Sequence, residues 1–274
     1  MDHPSGLAVT EHVPEDRRRG DPVVVLVHGS LDRSTSFTRV LRRLEDLHTI
    51  VYDRRGYHGS RQAVPLATSL DDHVDDLLAV IGGRPAVVVG HSYGGDVALG
   101  AALRDDGEPT IRAVAAYEPP LPWLELWTST GTTSRRSPLS DDPDVVAEHF
   151  YRRVVGDGAW ERLTPAAREE RRGDGPALLA ELRAIRSPDA PFDVGALRIP
   201  AVVGRGTRSL DHHRRGVAWL VEHLPDAELI EIDGAGHGAH LSHPDAFAVL
   251  VRRAVERGGA GGADHPSPVA GVVR

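Results

Sequence analysis

Short β-branched runs alternate along the chain with stretches of helical periodicity. The runs at Val23–Val27, Thr49–Tyr52, Ala86–Val89, Ile111–Tyr117, Ala201–Val203 and Glu228–Ile232 predict strands. Between them, apolar residues recur at helical spacing. Leu70, Val74, Leu77, Leu78 and Ile81 form one such stripe behind a Ser69 cap, and Phe247, Leu250, Val251, Ala254 and Val255 form another behind Pro244. Each helix therefore has one face to lay on a sheet. Strands alternating with helices predict an α/β protein with a mostly parallel sheet and helices on both faces.

The alternation breaks at Pro119. From there to about Asp193 the chain is charge-dense and more helical than β, and it carries Trp123, Trp127 and Trp160. A bare loop of that length is unusual in a compact domain, so residues 119–193 are read as a helical cap insertion. The core is then expected in residues 1–118 and 194–257. The last residues, 258–274, are rich in Gly, Ala and Pro and predict a disordered tail.

At 274 residues, 40% hydrophobic and 26% charged, the composition is that of a soluble globular chain, and one α/β domain fills the length. All 32 basic residues are Arg, and there is no Cys. This excludes disulfides, a cysteine nucleophile and cysteine-ligated zinc. The absence of Lys also excludes a P-loop, and no G-x-G-x-x-G follows the first strand. A net charge of −8 argues against nucleic acid as a partner. No apolar run is long enough to span a membrane, and the first fifteen residues lack the layout of a secretory signal, so the expected location is cytoplasmic. The basic run Arg17-Arg18-Arg19 is read as a solvated turn.

The chemistry centres on Val89-Gly90-His91-Ser92-Tyr93-Gly94-Gly95, a strand running through G-x-S-x-G into a helix. Glycines flank the serine because the strand-to-helix turn is too tight for side chains, and the turn projects the serine hydroxyl. Ser92 is the candidate nucleophile. The helix N-terminus places the Tyr93 N–H to stabilise a developing oxyanion.

With these residues the chain resembles the α/β-hydrolase superfamily over nearly all its length. His28-Gly29-Ser30 resembles the family's His-Gly turn, which implies a second oxyanion N–H at Ser30, with Leu31 as the alternative. Asp53-Arg54-Arg55-Gly56-Tyr57-His58-Gly59-Ser60 resembles the D-x-R-G-x-G-x-S turn, with His58 standing where glycine is usual. Gly234-Ala235-Gly236-His237 resembles the loop that delivers the catalytic histidine, so His237 is the expected base. His240 and His243 follow it and are read as structural, with no metal and no cofactor expected.

The acid departs from the commoner pattern. Many relatives place an Asp where this chain has Thr207, which cannot carry the charge that stabilises an imidazolium. One strand earlier, Tyr117-Glu118-Pro119-Pro120 resembles a bacterial subgroup that lacks the later Asp. Glu118 is the expected acid. The alternatives are a capping role for Glu118 and an acid at Asp211, itself at an apparent helix start.

These residues predict a serine hydrolase acting on an ester, lactone, thioester or amide, or on the carbon–carbon bond of a diketone, through an acyl-enzyme where an acyl group is transferred. Serine at the elbow argues against the dehalogenases and epoxide hydrolases of this fold, which use Asp. The partner is a small molecule, expected to be apolar or aromatic if Trp123, Trp127 or Trp160 lines the pocket. The alternatives are that these Trp only pack the cap and that the protein is a non-catalytic ligand binder on the same fold.

Overall fold

A computed structural model of the chain describes residues 6–18, 20–63, 65–105, 110–124, 126, 139–187, 189–259 and 271–273. Eight strands form one sheet: β1 (Val9–His12), β2 (Val23–Val27), β3 (Thr49–Tyr52), β4 (Ala86–His91), β5 (Ile111–Tyr117), β6 (Ala201–Gly206), β7 (Ala227–Ile232) and β8 (Gly271–Val273). Their order is β1-β3-β2-β4-β5-β6-β7-β8. Only β1 runs antiparallel, paired with β3. Ten helices are described: α1 (Thr38–Leu41), α2 (Leu70–Ile81), α3 (Tyr93–Arg104), α4 (Pro143–Val155), α5 (Asp157–Arg162), α6 (Pro165–Gly173), α7 (Gly175–Ala184), α8 (Asp211–His223), α9 (Ala239–Ser242) and α10 (Pro244–Gly259). None is long and apolar enough to cross a membrane.

The unbroken Val-rich sequence of β2 follows from burial on both faces of the sheet, where alternate side chains enter different cores. Val23, Val25 and Val27 pack with Val74 and Leu77 of α2, Val97 of α3 and Leu220 of α8. Val24 and Leu26 pack with Val40 of α1 and with Phe247, Leu250 and Val251 of α10. The register sets the rim of the sheet. Val27 lies level with Gly90, and His91 with Tyr117, while Tyr117 is in turn level with Gly204. The residues that follow β2, β4 and β5 therefore emerge side by side at the carboxyl edge, where groups gather in open α/β sheets.

Helices α4 to α7 lie between β5 and β6. Val146, Ala147, Leu178, Leu179 and Leu182 form a third apolar cluster with Leu31, from the turn after β2. A buried ion pair joins the same regions: Arg54 Nη1 donates to Glu181 Oε2 at 2.8 Å. Asp174, between α6 and α7, is fully buried and pairs with Arg33 at 3.3 Å and Arg61 at 2.8 Å, so the inserted helices are keyed to the rest of the chain by apolar packing and by several charge pairs.

Two elements differ from the sequence reading. The polar strand β1 (Val-Thr-Glu-His) is mostly exposed at the sheet edge, so it lacks the apolar alternation that marks a strand. Within the stretch expected to be disordered, residues 258–259 continue α10 and 271–273 form β8. α10 runs on through Gly258, which lies so close to Val87 and Ala113 that a Cβ there would come within 3.2 Å of each. Residues 271–273 then satisfy their backbone groups by pairing with β7.

The cap of α2 matches its sequence signature. Ser69 Oγ accepts from the Asp72 N–H, the Asp72 carboxylate accepts from the Ser69 N–H, and Gly82 ends the helix at φ 61°. Ser69→Ala removes the acceptor and is expected to lower the unfolding free energy by about 1 kcal/mol, read from urea melts of the two proteins.

Candidate active site

The turn from β4 into α3 is compressed by neighbouring backbone. A Cβ on Gly90 would lie 2.0 Å from the Gly94 carbonyl oxygen, and one on Gly94 would lie 2.2 Å from the Val27 oxygen. Only glycine fits either position. Between them Ser92 takes φ 53° and ψ −130°, a conformation that costs an ordinary residue about 1–3 kcal/mol. Its N–H donates to the Tyr117 oxygen at 2.9 Å. Ser92 is partly exposed, and its hydroxyl has no hydrogen-bond partner among the described residues.

Positive φ at non-glycine residues recurs around this point. Leu31 (52°) follows β2, His58 (39°) lies beyond β3, and Glu118 (48°) ends β5. The His58 conformation is held by its N–H, which donates to Asp174 Oδ1 at 2.9 Å, so histidine is accommodated where the family motif has glycine.

Glu118 is fully buried. Its Oε2 accepts from His237 Nδ1 at 2.8 Å. Its Oε1 accepts from the Gly206 N–H at 2.9 Å and from the Ser209 hydroxyl. Asp211 lies elsewhere: its side chain is 71% exposed at the first position of α8 and faces Arg214 at 3.8 Å. Thr207, at the position where many relatives carry an acid, ties down the histidine loop. Its hydroxyl accepts from the Gly234 N–H at 2.9 Å and donates to Asp233 at 3.2 Å.

His237 is seated against histidines. Its ring stacks on His213 at 4.1 Å, and His91 donates Nε2–H to the His237 carbonyl at 2.8 Å. His91 immediately precedes Ser92, so this bond brings the histidine loop to the elbow. Ser209, His91 and His213 were not singled out by sequence reasoning. His91 stood inside the elbow motif and could have been found there, whereas Ser209 and His213 carry no motif.

Ser30 and Tyr93 flank the elbow. A Cβ on Gly29 would lie 2.9 Å from Ser92 Cβ, so the turn before Ser30 abuts the serine. The Ser30 hydroxyl donates to Glu181 Oε1. Arg54 fixes the same turn, donating to the carbonyls of His28 at 2.9 Å and Gly29 at 3.0 Å.

The tryptophans divide. Trp123 lines a cavity of about 220 Å³ together with Tyr93, and meets Phe192 edge-on at 5.1 Å. Trp160 is fully buried within the inserted helices, beside Tyr151 at 5.4 Å and under Arg152, Arg168 and Arg172, and is not among the residues lining that cavity. Trp127 lies outside the described residues.

Among the described residues, two groups place potential metal ligands within 4.8 Å of one another: Asp32, His91 and His240, and Glu118, His213 and His237. His240 Nε2 is 3.4 Å from Asp32. His243 shares a hydrogen bond of 2.8 Å with Ser242.

The sequence model of the alpha/beta hydrolase family matches residues 24–250, and the chain belongs to that family. Among curated relatives, it is 30% identical to the pimeloyl-[acyl-carrier protein] methyl ester esterase of Chromobacterium violaceum, over 86% of this chain and 94% of the relative. It is 24% identical to lipase LipV of Mycobacterium tuberculosis, over 90% and 98% of the two chains. The fold is shared with the enol-lactonase of Burkholderia xenovorans, at TM-score 0.68 and 20% identity, covering 92% of this chain and 97% of that one.

Burial holds several of these histidines neutral. Desolvation, aided by neighbouring positive charge, pulls His28 down to about 4 and drives His73, His91 and His213 below the ordinary imidazole range. Between the unfolded value near 6.5 and the lowered folded values, the unfolded chain binds more protons. Stability contributed by these groups is therefore complete above pH 6.5 and is lost as pH falls towards 4. The melting temperature is expected to drop steadily across that window. A flat profile between pH 6.5 and 4 in differential scanning calorimetry would contradict the neutral, buried assignment.

Proposed function

We propose that the protein is a serine hydrolase that cleaves a carbonyl substrate, an ester first among the candidates, through Ser92, His237 and Glu118. The observation that carries this reading is the 2.8 Å bond from His237 Nδ1 to a fully buried Glu118, beside a strained serine at a G-x-S-x-G turn. The esterase and lipase among the relatives support the same reaction class.

In this mechanism Ser92 Oγ attacks the carbonyl carbon while His237 Nε2 takes the hydroxyl proton. Glu118 holds the proton on Nδ1, which leaves Nε2 as the free base, and it balances the imidazolium that forms. The carbonyl oxygen becomes an oxyanion held by the N–H groups of Ser30 and Tyr93. His237 returns its proton to the leaving group, and the acyl-enzyme is released by water that His237 activates in turn. No cofactor or metal is called for, because nucleophile, base, acid and oxyanion donors all come from the chain. The inserted helices α4 to α7 act as a cap over this edge of the sheet.

Two experiments test the assignment. A fluorophosphonate probe is expected to label Ser92, and Ser92→Ala to abolish labelling. An unlabelled native protein would favour a non-catalytic ligand binder on the same fold. Glu118→Gln keeps the shape but loses the charge and favours the wrong tautomer, so hydrolysis of p-nitrophenyl esters should fall by about three to four orders of magnitude. Asp211→Asn is expected to change the rate by less than about tenfold, since the group sits on the surface and away from His237. The opposite ranking would transfer the acid role to Asp211.

A further inference from the structure

His213 enters no step of that mechanism, yet its ring lies flat on the proposed base. The His213 and His237 rings stack with centroids 4.1 Å apart and planes 12° from parallel. The ring of His91, also beside His237, is 4.8 Å away and tilted by 43°, so it gives the base no flat support. His213 also looks onto the proposed acid. Its Nδ1 is 4.0 Å from Glu118 Oε2, the oxygen that His237 Nδ1 meets at 2.8 Å. Two imidazoles therefore stand face to face beside one carboxylate oxygen.

The two rings are held very differently. His213 is buried in the first turn of α8, where its N–H donates to the Leu210 carbonyl at 3.1 Å, and Val217 and Leu220 further along the helix pack into the core. The residues leading into α8 are bound to both sides of the site: the Arg208 N–H donates to the Ala235 carbonyl at 2.9 Å, and the Ser209 hydroxyl to Glu118. His237 is partly exposed in a turn between Gly236 and Gly238, whose backbones are the least restricted of any residue. The fixed ring thus supports the mobile one. Its neutrality matters for this. Burial lowers the His213 pKa below the ordinary imidazole range, and His237, His212, His91 and Arg153 lower it further against the pull of Glu118 at 4.0 Å. A proton on His213 would set two like charges 4.1 Å apart whenever His237 became an imidazolium.

We infer, on the serine hydrolase reading, that His213 is a positioning residue: an uncharged flat plate that holds the His237 ring in the plane where Nδ1 meets Glu118 and Nε2 serves Ser92. Without the plate the ring turns about its Cβ–Cγ bond, and both contacts are lost together. A misplacement of about 1 Å costs a reaction on the order of a hundredfold. What the site needs from residue 213 is then a flat face, and neither a titrating group nor filled volume replaces it.

The test compares the native protein with His213→Phe and His213→Tyr, which keep a flat ring, and with His213→Leu and His213→Ala, which do not. Either member of each pair suffices if the other does not fold. The kinetic arm measures kcat and KM for p-nitrophenyl butyrate as a function of pH, and the spectroscopic arm records the His237 Nδ1–H resonance in nitrogen-15-labelled protein. The ringless variants are expected to lose about ten- to a hundredfold in kcat with KM changed by less than about threefold, and the flat-ring variants to keep kcat within about threefold. The acid limb of the native and His213→Phe profiles should coincide, because His213 does not titrate there. The His237 resonance should stay sharp in the flat-ring proteins and broaden in the ringless ones. A Leu variant as active as the Phe variant would show that volume alone is needed and overturn the inference. So would an acid limb displaced in His213→Phe, which would make His213 a titrating group. A lower melting temperature in the ringless variants with an unchanged His237 resonance would mark His213 as structural and overturn it equally. If Ser92 is not labelled and no ester turns over, the hydrolase reading fails, and the His237 resonance still decides whether His213 holds the ring.

Discussion

Everything at the carboxyl edge of the sheet depends on the near-contact of three backbone segments. The strand end at Gly90, the first turn of α3 at Gly94 and the end of β2 at Val27 approach so closely that no Cβ fits at either glycine. That approach forces Ser92 to a positive φ and aims the α3 N-terminus at the same point. Strain of about 1–3 kcal/mol at each of Leu31, His58, Ser92 and Glu118 persists only because the surrounding structure over-determines those positions. The two cores on either face of the sheet supply that rigidity, since the strands preceding these residues are buried on both sides.

The environment of Glu118 shows how a carboxylate at the end of β5 can reach a histidine loop that follows β7. β6 lies between those strands, and Gly206 and Ser209 at its end both donate to Glu118 Oε1, leaving Oε2 free for His237. Hydrogen bonds from the neutral strand end hold the carboxylate in one orientation without competing for the imidazole. Thr207 then contributes from the same turn by anchoring Gly234, two residues before Gly236 and three before His237. The position that lacks an acid therefore still shapes the site, as a tether.

A second buried carboxylate, Glu181, links the inserted helices to the turn after β2. It accepts from Arg54, Tyr57 and Ser30. Removing such a pair from water costs several kcal/mol per ion, so its effect lies more in position than in net stability. Arg54 also donates to the His28 and Gly29 carbonyls, so α7 and the turn beside Ser92 are fixed by one guanidinium. Any rearrangement of the inserted helices that breaks Glu181 from Arg54 would leave a charge buried in the turn.

The sequence by itself determined what depends on local periodicity and on backbone geometry. The Val-rich runs, the Ser69 cap and the G-x-S-x-G turn are legible because the chemical reason for each residue lies within a few positions of it. Glu118 is readable as a candidate only by its place at a strand end, and its contact with His237, which Asp211 does not make, is visible only in the folded chain, because the two carboxylates differ in what surrounds them and not in type. Ser209, His213 and Glu181 carried no signal, since their partners lie 91, 24 and 124 or more residues away in sequence. Trp160 and Trp123 look alike in the sequence, and burial alone separates a packing residue from one that lines a cavity. Asp96 marks the limit of reading a motif: on paper it is one more polar residue in a helix, and only the tertiary structure strips it of water, because solvent access is a property of everything packed around a residue.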